Sequence, residues 1–233
     1  MANMISSNNL IVFYSLLGGI LPAIFWLWFW LRQDKLNPEP KILLTFVFIA
    51  GMVGVEFVLP LQQYVQVFLV EGVATLSAWA LIEEFTKFLA FLAIIFWSRR
   101  FLDEPIDYSM YLITAALGFA AAESALFLFD PIKNGNLLEG LITGNLRFLG
   151  AAVLHAEGSA LIGIALGLTF YKNVFNRTVA LLFGLISATA LHTLFNFFIM
   201  NDENKNVLVV FAFFWIVAVL ILLVFEKIKL LRE

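Results

Sequence analysis

The sequence has no cysteine among its 233 residues. Disulfides, thiolate nucleophiles and thiolate metal ligands are therefore excluded. Charge is almost as scarce, at 13% Asp, Glu, Lys and Arg, about half the share of an ordinary soluble domain. The net charge of −3 offers no basic field, so nucleic acid is not an expected partner. Histidine occurs only twice, as His155 and His192. No low-complexity segment, short repeat or stretch able to form a soluble domain interrupts the chain. Apolar surface is what abounds: 62% of the residues are hydrophobic, 26 of them Phe and 6 Trp, and the mean hydropathy is +0.96. Such a composition points to a multi-pass integral protein of the cell membrane, with the lipid bilayer as its solvent.

Apolar runs at 10–31, 42–61, 73–97, 110–129, 148–171, 178–200 and 207–225 are each near the ~20 residues that span a bilayer. They predict an all-α, polytopic membrane helix bundle of about seven transmembrane helices, forming one domain over residues 1–233. The first run follows an uncharged stretch, Met1 to Asn9, without a basic region or cleavage site, so it reads as a retained helix. Trp26, Trp28 and Trp30 at its end suit a membrane–water interface. Gln62 to Gly72 reads as a short loop. Asp130 to Arg147 reads as the longest connection, with an interfacial helix built on Leu137, Leu138, Leu141 and Ile142. Arg32, Lys35, Lys41, Arg99, Arg100, Lys172, Arg177, Lys227, Lys229 and Arg232 would share one side of the membrane. Lys133, Arg147 and Lys205 would lie on the other. The positive-inside rule then predicts N-out, C-in.

Glu83, Glu84 and Lys87 interrupt the third run. Charges at such depth cost roughly 2.5–3.5 kcal/mol each on insertion scales, so a chain that needed only to span the membrane would not carry them. Glu123, His155 and His192 lie in three other runs, at depths that place all four helices' polar groups roughly 9–15 Å below the outer surface. Four helices presenting such groups at one level suit a shared site. Imidazole and carboxylate are the ligands of catalytic zinc when cysteine is absent, and a nearby carboxylate can serve as general base. A glutamate paired with histidine could also activate water without metal. Either route makes a hydrolase. Lys87 is three residues from Glu84 and four from Glu83, so it can pair with either.

Other polar positions read differently. Asn196, one turn after His192, either orients a substrate carbonyl or caps a polar network. Glu157 lies about 200° around the helix from His155 and points away from that site. Glu56 reads as a helix–helix hydrogen-bonding group and Phe119 as a packing residue. The small residues around Gly118, Gly158, Gly163 and Gly167 allow close helix approach. Membrane carboxylates and histidines also build proton relays, which makes a proton- or cation-coupled transporter the rival reading. Inverted repeats and paired broken helices, which would favour it, are not apparent. A scaffold that captures a membrane partner is a further alternative.

Glu83-Glu84-Phe85-Thr86-Lys87 resembles the EExxK motif of the PrsW intramembrane proteases. Gly118-Phe119-Ala120-Ala121-Ala122-Glu123 is similar to that family's second motif. His155 with Gly163 and Gly167 resembles its histidine-bearing helix, and His192 to Asn196 its HxxxN motif. The likeness covers about residues 73–200, the expected catalytic helices, and extends more loosely to CAAX prenyl endopeptidases. Ser124 departs from the Asn expected after the second glutamate. The resemblance implies an intramembrane metallo- or glutamate-type endopeptidase acting on a transmembrane protein, an anti-sigma factor in the family's namesake role. Under it, Glu83 is the expected base or water ligand and Glu84 is held by Lys87. Glu123, His155 and His192 are expected to bind a divalent metal, zinc by ligand type, and Asn196 to stabilise the oxyanion.

Overall fold

A computed structural model describes residues 2–34, 37–201 and 207–231. Among them are eight α-helices: α1 (Ala2–Leu31), α2 (Lys41–Phe68), α3 (Val73–Ile95), α4 (Asp107–Lys133), α5 (Leu137–Leu146), α6 (Ala152–Leu168), α7 (Val174–Asn201) and α8 (Val207–Ile228). A π-helical turn, Arg147–Ala151, joins α5 to α6. No strand occurs among the described residues. This is the expected solution in lipid, where a helix satisfies its own backbone hydrogen bonds and irregular chain cannot.

Among the described residues, six stretches are long and apolar enough to cross a membrane, counting α5 to α6 as one. Helix α3, of 23 residues, extends about 34 Å and also has the length; its Glu83, Glu84 and Lys87 set it apart. The protein is thus an integral membrane helix bundle of six or seven spans. Outward faces are apolar as lipid requires: Val67, Phe183 and Leu208 are 76%, 68% and 81% exposed.

Helix α4 is the axis of the bundle. It is buried without a break from Ser109 to Ala121 and packs against α1, α2, α3, α5 and α6. Small residues let the backbones meet. A Cβ on Gly51 of α2 would lie 2.0 Å from the carbonyl oxygen of Ala115 on α4, and one on Gly118 of α4 would lie 2.0 Å from that of Phe48 on α2. Trp26, Trp30, Ile113, Leu117, Ile221 and Phe225 form one apolar core linking α1, α4 and α8. Val47, Phe91, Leu112 and Leu185 belong to a second, between α2, α3, α4 and α7.

Several expected boundaries move. Helix α2 continues through Pro60 to Phe68, where a loop from Gln62 was expected. One proline removes one backbone bond, a smaller loss than leaving a run of peptide groups bare in lipid. The connection after Asp130 is also largely helical. Helix α4 runs on through Pro131 to Lys133, and α5 presents Leu137, Leu138 and Leu141, all more than 60% exposed. Lys35, Lys205 and Arg232, which count toward the expected sidedness, lie outside the described residues, as do residues 202–206 of the polar turn expected over Asn201 to Asn206; Asn201 itself ends α7. Outside the spans, burial pushes the carboxyl of Asp34 up to about 6 and that of Glu39 up to about 7.

Candidate active site

Glu83, Glu84 and Lys87 share one buried face of α3 because they are spaced by about one helical turn. Helix α4 brings Glu123, α6 brings His155 and α7 brings His192 to that face. Lys87 Nζ lies 2.6 Å from Glu84 Oε1 and 2.8 Å from His155 Nδ1. Either glutamate was within reach of Lys87 by spacing; the fold gives it Glu84. Glu84 Oε1 is also 2.7 Å from His192 Nδ1. A Cβ on Gly158 would lie 3.0 Å from Glu84 Oε2, so glycine there lets α6 come this close without displacing the Glu84 carboxylate.

The ring protons follow from these partners. An ammonium group only donates, so Nδ1 of His155 accepts from Lys87, and its Nε2–H donates to Glu123 Oε2 at 2.9 Å. A carboxylate only accepts, so His192 donates Nδ1–H to Glu84. That leaves the Nε2 lone pair of His192 free, facing Glu83 Oε2 at 3.5 Å. Glu83 Oε2 is buried and has no hydrogen-bond partner. Its other oxygen accepts from Gln62 Nε2 at 2.8 Å. The imidazole rings of His155 and His192 meet edge to face, 5.3 Å between centroids.

Glu83, His155 and His192 each offer one ligand atom, and the three atoms lie within 4.8 Å of one another, all on buried residues. Glu123 was expected in this set, but the fold puts Glu83 there. Glu123 instead lies between His155 and Arg147, whose guanidinium pairs with Glu123 Oε2 and also donates from Nε to Ser124 Oγ at 2.8 Å. The site passes the test for a divalent cation on three counts. It has two imidazoles and a carboxylate, one carboxylate oxygen is orphaned, and a histidine is held by a second carboxylate in the manner of metal ligands. Its three carboxylates also outnumber its two cations, Lys87 and Arg147.

Not every expected residue joins. Asn196 is half-buried and makes no hydrogen bond to the six side chains. Glu157 is fully buried on the side of α6 away from His155, where both its oxygens lack partners. Phe119 does more than pack: its ring lies 5.3 Å below Lys87 Nζ and 5.6 Å from the His155 ring. Gln62, Ser124 and Arg147 are new members. Gln62 was hidden by the loop expected after Pro60; it sits nearly two turns before the end of α2, facing the buried Glu83. Trp79 Nε1 donates to its backbone carbonyl at 3.2 Å. Arg147 was hidden as an expected loop residue.

The fold and site define a polytopic membrane protein with a buried Glu/His centre able to hold a divalent cation. Residues 39–224 match the PrsW family of intramembrane metalloproteases, and the chain belongs to that family. It is similar to the protein named Protease PrsW in Geobacillus kaustophilus, 31% identical over 157 residues, a match spanning 64% of each chain. It is similar also to the Protease PrsW of Oceanobacillus iheyensis, 27% identical over 86% of this chain and 91% of that one. The Protease PrsW of Clostridioides difficile is 24% identical over 84% of this chain and 83% of that one. No solved structure matches.

Proposed function

We propose that the protein is an intramembrane endopeptidase, hydrolysing a peptide bond of a membrane-embedded protein with water activated at the Glu83–His155–His192 centre. The observation that carries this is the convergence of those three ligand atoms within 4.8 Å. Family membership agrees with it. Glu83, His155 and His192 would hold the metal, His192 through its free Nε2 and His155 through Nδ1 once Lys87 turns to Glu84 alone; the ligand types match zinc best. When bound, the ion supplies Lewis-acid activation of water and of the scissile carbonyl.

The chain's own groups then have distinct tasks. Glu84 keeps His192 in the tautomer with a free Nε2 and is itself neutralised by Lys87, so its charge is committed. Glu83 has only the neutral Gln62 amide and His192 as partners, so its Oε2 is the uncommitted oxygen of the centre: it ligates the ion or, on the metal-free route, takes the proton of the attacking water. Glu123, fixed by Arg147, orients His155. Asn196, one turn from His192, donates to the oxyanion as the substrate enters. The N-out, C-in topology would put the scissile bond in the outer half of the membrane, which suits an anti-sigma factor as substrate.

The test is cleavage of a transmembrane peptide in micelles, with bound metal measured on the same preparation. Glu83→Ala and His192→Ala should each abolish cleavage, and His192→Ala should also lose metal. Full activity in both variants refutes the site. Proton-dependent solute uptake in liposomes without peptide cleavage would establish the transporter instead.

A further inference from the structure

Helix α4 carries a second polar cluster at its other end. Asp107 opens the helix, 16 residues before Glu123 and about 24 Å from it along the axis. Asp107, Asp34 and Glu39 each offer a carboxylate oxygen, and these three atoms also lie within 4.8 Å of one another. All three residues are buried, at 0%, 6% and 9% exposure. Neither histidine belongs to this cluster. No Lys or Arg among the described residues forms an ion pair with any of the three.

The cluster is built to aim oxygens inward. Asp107 Oδ2 is occupied by the backbone N–H groups of Asp103 at 2.8 Å and Glu104 at 2.6 Å. Its Oδ1 is buried without a partner. Glu39 Oε2 is occupied by the Tyr111 hydroxyl. Asp34 Oδ2 is buried without a partner. Two carboxylates are thus anchored through one oxygen while the rest of the cluster converges. Bonds to the turn before α4 explain Asp107 Oδ2 and explain nothing else here. Burying unpaired carboxylates together is strongly unfavourable unless a counter-charge joins them.

We infer that Asp34, Glu39 and Asp107 form a binding site for a hard divalent cation, Mg2+ or Ca2+, distinct from the Glu83–His155–His192 centre. All-oxygen ligand sets without imidazole or thiolate select that class, and water completes the coordination shell. The ion fastens the α1–α2 connection to the start of α4, beside the existing bond from Asn37 Nδ2 to Asp103 Oδ2 at 3.4 Å. Because α4 also carries Glu123, the ion fixes the base of the helix on which the catalytic face rests.

The experiment uses the full chain in detergent micelles with Glu83→Gln and His192→Ala, so that the catalytic centre no longer binds. After EDTA treatment, Mg2+ or Ca2+ is titrated while thermal unfolding is followed, and Mn2+ binding is counted by electron paramagnetic resonance. One ion per chain is expected, with Tm rising by roughly 5–10 °C at a hundredfold excess over Kd. Adding Asp34→Asn and Glu39→Gln should abolish both effects and leave the ion-free protein at least as stable. No bound Mn2+ in the parent overturns the site, whether or not the further variant folds. A Tm rise that survives the added substitutions overturns it too, as does stabilisation by the two amides in a parent that ignores cations, which would mean shared protons.

Discussion

Replacing Lys87 with methionine tests the ion pair at the heart of the site. Lys87 and Glu84 are both fully shielded from solvent. Methionine fills a similar volume but cannot neutralise Glu84 or donate to His155 Nδ1. A buried carboxylate that loses its partner costs about 3–5 kcal/mol, which for a chain of this size lowers Tm by roughly 6–20 °C. Removing both charges should behave oppositely. In the pair Lys87→Met with Glu84→Gln, the uncompensated charge is gone and the amide oxygen still accepts from His192 Nδ1, so most of the lost stability should return. Thermal unfolding in micelles measures both variants, and peptide cleavage on the same samples separates fold from function. Both variants should be inactive, the double one while folded, because the centre has lost the Lys87 charge that offsets its carboxylates. A single variant destabilised by less than about 1 kcal/mol, or a double variant no more stable than the single, refutes the claim that this pair is a buried, mutually dependent unit.

Two further substitutions address the parts the sequence hid. Gln62→Leu removes one hydrogen bond to a buried carboxylate, worth about 1.5–3 kcal/mol. If Glu83 is the working carboxylate, cleavage should fall roughly 10- to 100-fold in kcat with KM little changed; unchanged kcat would remove Gln62 from the site. Gly158→Ala brings a methyl to 3.0 Å from Glu84 Oε2, against a side chain pinned by Lys87 and His192. A displacement of a few tenths of an ångström should lower kcat by about tenfold with Tm nearly unchanged. A large fall in Tm with normal kcat would show that the glycine serves helix packing alone.

Sequence alone was enough to establish the class of protein and its most costly residues. Lipid offers no hydrogen bonds, so long apolar runs must be helices, and the few ionisable groups inside them stand out by their expense. Glu83, Glu84, Lys87, Glu123, His155 and His192 were visible for that reason. Local boundaries were less legible. Pro60 looks like a stop signal, yet α2 passes through it because leaving the membrane phase early would expose backbone.

Partnership was decided only by the tertiary structure. Helical periodicity gives Lys87 two possible glutamates, since residues three and four positions apart are both neighbours on a helix. The choice of Glu84 depends on α6 and α7, which bring His155 Nδ1 and His192 Nδ1 to the same place. For the same reason Glu83 rather than Glu123 joins the two histidines: depth in the membrane could be counted along each helix, but rotation about its axis could not. Arg147 takes Glu123 from a position in the chain that looked like solvent. The acidic cluster of Asp34, Glu39 and Asp107 had no signature at all, because its members come from the α1–α2 connection and the first residue of α4, which only the packing of α1 and α2 against α4 brings together.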